Sequence, residues 1–320
     1  MSRILVLSNG HGEDLSGSII ASRLIAIGNK VEALPIVGSG DAYKKDKINI
    51  IGKTRKFNTA GLGYNSLKGK LLDLFNGQII YFFSKIWLIL VIRKKYDYFL
   101  VVGDIVPIFF AWLSRKKYFT YLVAYSSHYT GKLNLPWPCK YFLKSSKAIR
   151  IYTRDTLTSI DLSDQLKKEV LFFGNPFIDK LLKNNFKDSN NLFNIALLPG
   201  SRINELINNF DLILDIIQKL SKYKFFKKIK FYFAIASDLA MDKVQNKLES
   251  RNWEFQKTNS TEFQLMYVYK SIKVFFKWNS FESILRKCDL AISMSGTAAE
   301  QVVGMSKPVI QVEGKGPQFT

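Results

Sequence analysis

At 320 residues the chain exceeds the usual reach of one hydrophobic core, and 47% hydrophobic residues exclude a largely disordered protein. Its formal charge of +21 implies attraction to nucleic acid, anionic lipid or a phosphorylated substrate, unless it is a solvated basic surface born of compositional bias. Two isolated cysteines, Cys139 and Cys288, exclude a disulfide framework and a zinc site and fit a reducing cytoplasm.

The chain opens on a strand and a loop, not on a basic segment followed by an apolar one, so no secretory signal is read there. From that point a short apolar run, a Gly- or Ser-bearing loop and a stretch of helical period recur, which is the pattern of βαβ units and a parallel sheet. Residues 4–8 predict the first strand, followed by a loop over 9–14 and a helix to Leu24. Residues 31–35 predict the next strand. Residues 79–92 form the most apolar stretch, with Lys85 inside it; they are too few for a spanning helix, which needs about 20. They predict an interfacial helix carrying Tyr81, Phe83 and Trp87 beside the basic Arg93, Lys94 and Lys95, or a helix buried between strands. Residues 98–102 are a continuous apolar run ended by Gly103 and Asp104, as in a central parallel strand. Residues 117–123 and 148–153 complete the first series. A second begins after Gly174, Asn175 and Pro176, with strands at 194–198, 231–235, 274–278, 290–293 and 309–312 and a helix at 203–220.

Pro176 and the polar residues 183–191 set the boundary, giving domains at 1–172 and 173–320. The expected fold is α/β: two doubly wound parallel-sheet, Rossmann-like domains facing across a cleft. Because the chain stops at Thr320 just past a strand, the second domain is expected to be incomplete. Residues 1–172 carry 26 Lys and Arg against 12 Asp and Glu, so the basic excess leans to the first half.

Two segments carry recognisable chemistry. In the first, residues 197–202 read Leu-Leu-Pro-Gly-Ser-Arg where a strand meets a helix. Gly200 allows close backbone approach, Ser201 offers a hydroxyl or a cap, and Arg202 a fixed positive charge suited to phosphate, with Glu205 in the next turn. The second is Ser295, Gly296 and Thr297, again just past an apolar strand, with Glu300 placed for sugar or ribose hydroxyls. Each alone reads equally as a capped helix start. Two of them at the ends of strands in one sheet suggest a diphosphate site.

With these residues quoted, the chain resembles the lipid-A-disaccharide synthase family: Leu197 to Arg202 with Glu205 is similar to its LPGSR element, Ser295 to Glu300 to its SGT region, and Gly174 to Asp179 to its interdomain segment. The resemblance implies a GT-B glycosyltransferase that binds a UDP-sugar donor in the C-terminal domain at Gly200, Ser201, Arg202, Glu205, Ser295, Gly296, Thr297 and Glu300. It implies an acceptor in the N-terminal domain, lipid-linked as in lipid A biosynthesis, and inversion at the sugar. The first loop departs from the family, with Asn9, Gly10, His11, Gly12, Glu13, Asp14 and Gly17 where a GE-x-SGD loop is usual; Asn9, Gly10, Gly12, Asp14 and Gly17 form the expected acceptor loop. Asn175 replaces the family's His.

Asp104, just past a buried strand, is the first choice as catalytic base, with His11 or Glu13 as alternatives; it reads equally as an N-cap. His128 reads as a loop histidine and Asp155 as a helix cap. No DxD motif is present, so no metal and no cofactor beyond the UDP-sugar substrate is expected. Expected partners are the donor, a lipid acceptor and an anionic membrane surface, with the protein cytoplasmic and peripheral on the inner face. No nucleic-acid module is visible. Two other readings stay open: a UDP-sugar epimerase sharing the nucleotide site, and a non-catalytic basic module that binds membrane or nucleic acid.

Overall fold

The structure is a computed structural model and describes residues 1–55, 78–128, 131–179, 192–200, 203–235, 241–257 and 263–314. The chain divides into two compact units, Met1–Phe177 and Ile178–Thr320, where the sequence put the boundary after residue 172. Strands are numbered in chain order and helices are named by their bounds.

The first unit holds a six-stranded sheet of order β2-β1-β3-β4-β5-β6. Its strands are β1 (Arg3–Ser8), β2 (Lys30–Pro35), β3 (Tyr98–Val102), β4 (Lys117–Leu122), β5 (Ala148–Thr153) and β6 (Val170–Leu171). Every pairing is parallel. Helices cover both faces, which is why β1 and β3 are apolar on both sides. On one face helices Gln78–Ile92, Ile105–Leu113, Trp137–Lys144 and Thr156–Leu166 close over Leu5, Leu7, Phe99 and Val101. On the other, helices His11–Ala26 and Asp41–Lys45 close over Ile4, Val6, Leu100 and Val102.

The apolar segment near residue 80 is the helix Gln78–Ile92, buried along one side and exposed along the other. Ile89 and Ile92 are buried, and Lys85 is drawn in with them, its Nζ donating to the Lys53 carbonyl at 2.7 Å. Desolvation lowers the Lys85 ammonium pKa to about 8. Ile80, Phe83, Trp87 and Val91, spaced at helical period, face outward. No helix among the described residues is long and apolar enough to cross a membrane.

The second unit holds a seven-stranded sheet of order β13-β12-β7-β8-β11-β10-β9. These strands are β7 (Phe193–Leu198), β8 (Ile229–Ile235), β9 (Glu254–Gln256), β10 (Leu265–Tyr269), β11 (Ile272–Trp278), β12 (Leu290–Ser293) and β13 (Val309–Gln311). Here the expectation of a wholly parallel sheet needs correction. β9 and β10 run antiparallel, β10 joined to β11 by a hairpin whose turn holds Lys270 at φ 56. The remaining pairs are parallel.

Helices Ile203–Leu220 and Met241–Glu249 pack on one face of this sheet, and Phe281–Lys287 and Gly296–Gly304 on the other. Aromatic rings fill the first face: Phe233 lies stacked on Phe276 at 4.9 Å and meets Phe210 at 4.9 Å. We expect Phe233→Ala to lower the stability of this unit by about 3–5 kcal/mol, the cost of an aromatic-sized cavity, seen as a lower denaturation midpoint at unchanged m-value.

Candidate functional site

Each sheet has one place where the strand order reverses, and there successive connections leave to opposite faces and open a crevice at the carboxyl ends of the strands. In the first unit it lies between β1 and β3, because β1 feeds the helix His11–Ala26 on one face and β3 feeds Ile105–Leu113 on the other. Asn9 and Asp104 thereby become neighbours across the sheet.

Asp104 is the N-cap of the helix Ile105–Leu113, as one sequence reading had it: its Oδ1 accepts from the Val106 amide at 2.9 Å. Both its oxygens also accept from Asn9 Nδ2 at 3.2 Å. Burial raises its pKa above the usual carboxylate range, and the Val106 and Asn9 hydrogen bonds oppose that rise. Glu13 closes the same crevice. A Cβ on Gly103 would come within 3.0 Å of Glu13 Cγ, and one on Gly10 within 2.8 Å of Glu13 Oε2. Both glycines also have positive φ, 137 and 126, so space and backbone alike select glycine there.

The helix His11–Ala26 begins at Gly10, which has no side chain to cap it. His11 is its first residue and Gly12 follows. Asp14 and Gly17, read from sequence as part of the acceptor loop, face the interior. Asp14 accepts from Ser8 Oγ at 2.6 Å, and the Tyr43 hydroxyl donates to Ser8 Oγ at 2.9 Å. Gly17 makes room for that hydroxyl, since a Cβ there would meet it at 2.1 Å. The network joins residues far apart in sequence, and no motif marked Tyr43. Burial is the main cause that lifts the Asp14 carboxyl to about 7, opposed by the Ser8 and Gly10 hydrogen bonds and helped by Asp41.

Other loops reach the same edge of the sheet. Asp155 caps the helix Thr156–Leu166, as expected, and also accepts from Ser126 Oγ at 2.9 Å. His128 Nε2 lies 3.7 Å from Asp155 Oδ1. The Tyr125 hydroxyl accepts the Ile105 amide at 3.2 Å.

In the second unit the reversal lies between β7 and β12, whose ends are in register with Leu198 opposite Ser293. The Met294 amide donates to the Leu198 carbonyl at 3.0 Å, and Asn209 Nδ2 holds the Pro199 carbonyl at 2.9 Å. Gly200, at φ 110, and Gly296 therefore sit on adjacent connections, and among the described residues nothing lies within 4 Å of a Cβ built on either. The helix Gly296–Gly304 starts at Ser295 without a side-chain cap among the described residues. Thr297 and the half-buried Glu300 lie in this helix, and Glu205 lies in the helix Ile203–Leu220. Ser201 and Arg202 lie outside the described residues.

Solved structures with this architecture can be set beside it. The fold is that of the GT-B glycosyltransferases. The Anabaena protein HepE, in complex with UDP and glucose, superposes with a TM-score of 0.54 at 11% identity, over 97% of this chain and 80% of that one. A putative UDP-N-acetylglucosamine 2-epimerase from Listeria monocytogenes gives 0.53 at 13% identity, over 97% and 78%. The Streptomyces glycosyltransferase SsfS6 complexed with thymidine diphosphate gives 0.52 at 12% identity, over 98% and 82%. No protein-family model and no curated protein sequence matches the chain.

The buried Asp14 gives the first unit a defined pH response. Its folded pKa, about 7, lies above the ordinary 3.8, so the folded chain holds the proton more tightly and loses stability as pH rises through that window, by at most on the order of 4 kcal/mol. We expect Asp14→Asn to gain stability relative to the unaltered protein between about pH 5 and about pH 8, measured by denaturant unfolding at both.

Proposed function

We propose that the protein is a glycosyltransferase moving a sugar from a UDP-sugar to an acceptor hydroxyl, the second unit binding the donor and the first the acceptor. The observation that carries this reading is that the two units hold unlike crevices, one each. Among the described residues that of the second unit offers a helix start without a side-chain cap or a first-turn carboxylate and open space at Gly200 and Gly296, which suits a diphosphate. Its counterpart in the first unit offers Asp104 and Glu13, which suit a hydroxyl donor. HepE with UDP and glucose, and SsfS6 with thymidine diphosphate, support a nucleotide in this fold.

In the reaction the acceptor O–H gives its proton to the Asp104 carboxylate as its oxygen attacks the anomeric carbon. The bond from that carbon to the diphosphate breaks and UDP leaves with the electron pair. A carboxylate whose pKa is raised by burial is a stronger base for this step. The helix start at Gly296 and, from the sequence, Ser201, Arg202, Thr297 and Glu300 bind the departing UDP, with no metal required. Inversion at the sugar and a lipid-linked acceptor akin to that of lipid-A-disaccharide synthases complete the reading.

The lipid acceptor agrees with the outward face of the helix Gln78–Ile92, where Phe83 is 65% and Trp87 67% exposed. Ring contacts link its layer to the next helices, Phe82 with Phe110 and Trp112 with Tyr141, and Tyr141 and Trp137 are exposed in turn. Lys94, Lys95, Lys140 and Lys144 belong to the same helical layer, so we read this face as resting on an anionic membrane from the cytoplasmic side.

A second reading is a UDP-sugar epimerase, favoured by the Listeria neighbour. Product analysis with a panel of UDP-sugars and lipid extracts separates them: a glycosylated acceptor supports transfer, and a free altered sugar supports epimerisation. We expect Asp104→Asn to cut turnover by about 10²- to 10⁴-fold with UDP binding unchanged by calorimetry. If it keeps its activity while His11→Ala or Glu13→Gln abolishes it, the base belongs to the first loop. Phe83→Ser with Trp87→Ser should weaken sedimentation with anionic liposomes, and added salt should weaken it further; binding that ignores both changes would refute the membrane face.

A further inference from the structure

Asn9 closes the end of β1 and is only 7% exposed. It is the one side chain that hydrogen-bonds Asp104 among the described residues, its Nδ2 lying 3.2 Å from each carboxylate oxygen. Its Oδ1 is buried and accepts no hydrogen bond among the described residues. A buried amide with one satisfied end and one empty end is uncommon and calls for a cause. The carboxylate beside it supplies one. An ionised carboxylate only accepts hydrogen bonds, whereas a protonated one also has an O–H to donate. The NH₂ group matches the first state and the carbonyl oxygen the second. Because Oδ1 has no partner here, turning the amide breaks no bond on that side.

We propose that Asn9 is a positioning residue for Asp104 that serves both protonation states, donating through Nδ2 to the carboxylate and, after its amide turns, accepting through Oδ1 from the carboxylic acid. A base that must take a proton and then lose it is thus held in the β1–β3 crevice in either form. The inference rests on Asp104 being the base of the proposed transfer. Among the described residues Glu13 from the first helix, Tyr125 from the loop after β4 and the Cys139 thiol of the helix Trp137–Lys144 are the other titratable groups that the structure brings towards Asp104. They are unaltered by substitution at residue 9, so a difference between variants reports Asn9.

The test is a carbon-13 carboxyl titration of Asp104 by NMR, in the full chain, with Asn9→Leu and Asn9→Asp, alongside the pH profile of kcat/KM. Asn9→Leu keeps the shape but can neither donate nor accept. Because the two charge-assisted contacts of Asn9 to the carboxylate outweigh the one bond it can accept from the acid, the substitution should raise the Asp104 titration by about one pH unit, move the acid limb of the profile by the same amount, and lower kcat more than it raises KM. Asn9→Asp puts two carboxylates in one place, and the upper of their two titrations should rise further than in Asn9→Leu. A folded Asn9→Leu or Asn9→Asp protein with the Asp104 titration unmoved overturns the inference. A titration that moves as expected while the kcat/KM profile stays in place upholds the role of Asn9 and removes Asp104 as the base.

Discussion

Parallel pairing of β1 with β3 and of β7 with β12 governs the chemistry of the chain. Parallel strands bring their carboxyl ends to one edge, and where the strand order reverses two neighbouring connections part to opposite faces. Helices starting there point their first amides at the gap. At two of the described helix starts a side chain takes an amide: Asp104 and Asp155 cap their own helices. At His11 and at Gly296, which start helices beside the two strand-order reversals, the N-cap residue supplies no side-chain hydrogen bond among the described residues.

Electrostatics divides the labour further. The chain is strongly basic, yet Glu13 and Asp104 lie at the crevice of the first unit. A field spread over the surface draws the protein towards anions at a distance, but within a few ångströms the local carboxylates decide what is bound. In the second unit Gly200 and Gly296 lie on adjacent connections with open space beside each among the described residues.

What the sequence showed and what it hid follow from the range of each interaction. Central parallel strands such as β3 and β12 are buried on both faces and read as continuous apolar runs. The hairpin β10–β11 was missed because its turn is made by Lys270 in a left-handed conformation, with no glycine or asparagine to announce it. Glu254–Gln256 escaped notice because all three residues are exposed and carry no alternation. Asp104 could be singled out because it ends an apolar run. The loop holding Asn9 and Asp14 could be singled out as well, but not the bond from Asn9 to Asp104 or the Ser8–Asp14–Tyr43 network, since those contacts join distant segments and leave no periodic trace.

The two cysteines fall one to each unit, and both are sealed in. Cys139 lies in the helix Trp137–Lys144, and Cys288 ends the helix Phe281–Lys287 with its Sγ 3.2 Å from the Leu285 carbonyl. Burial pushes their thiols to about 12 and about 11, so neither has an appreciable thiolate near neutral pH. Alkylation then waits for the surrounding structure to open. Each unit thus carries an internal chemical clock, and peptide-resolved thiol trapping reads how often one sheet loosens independently of the other.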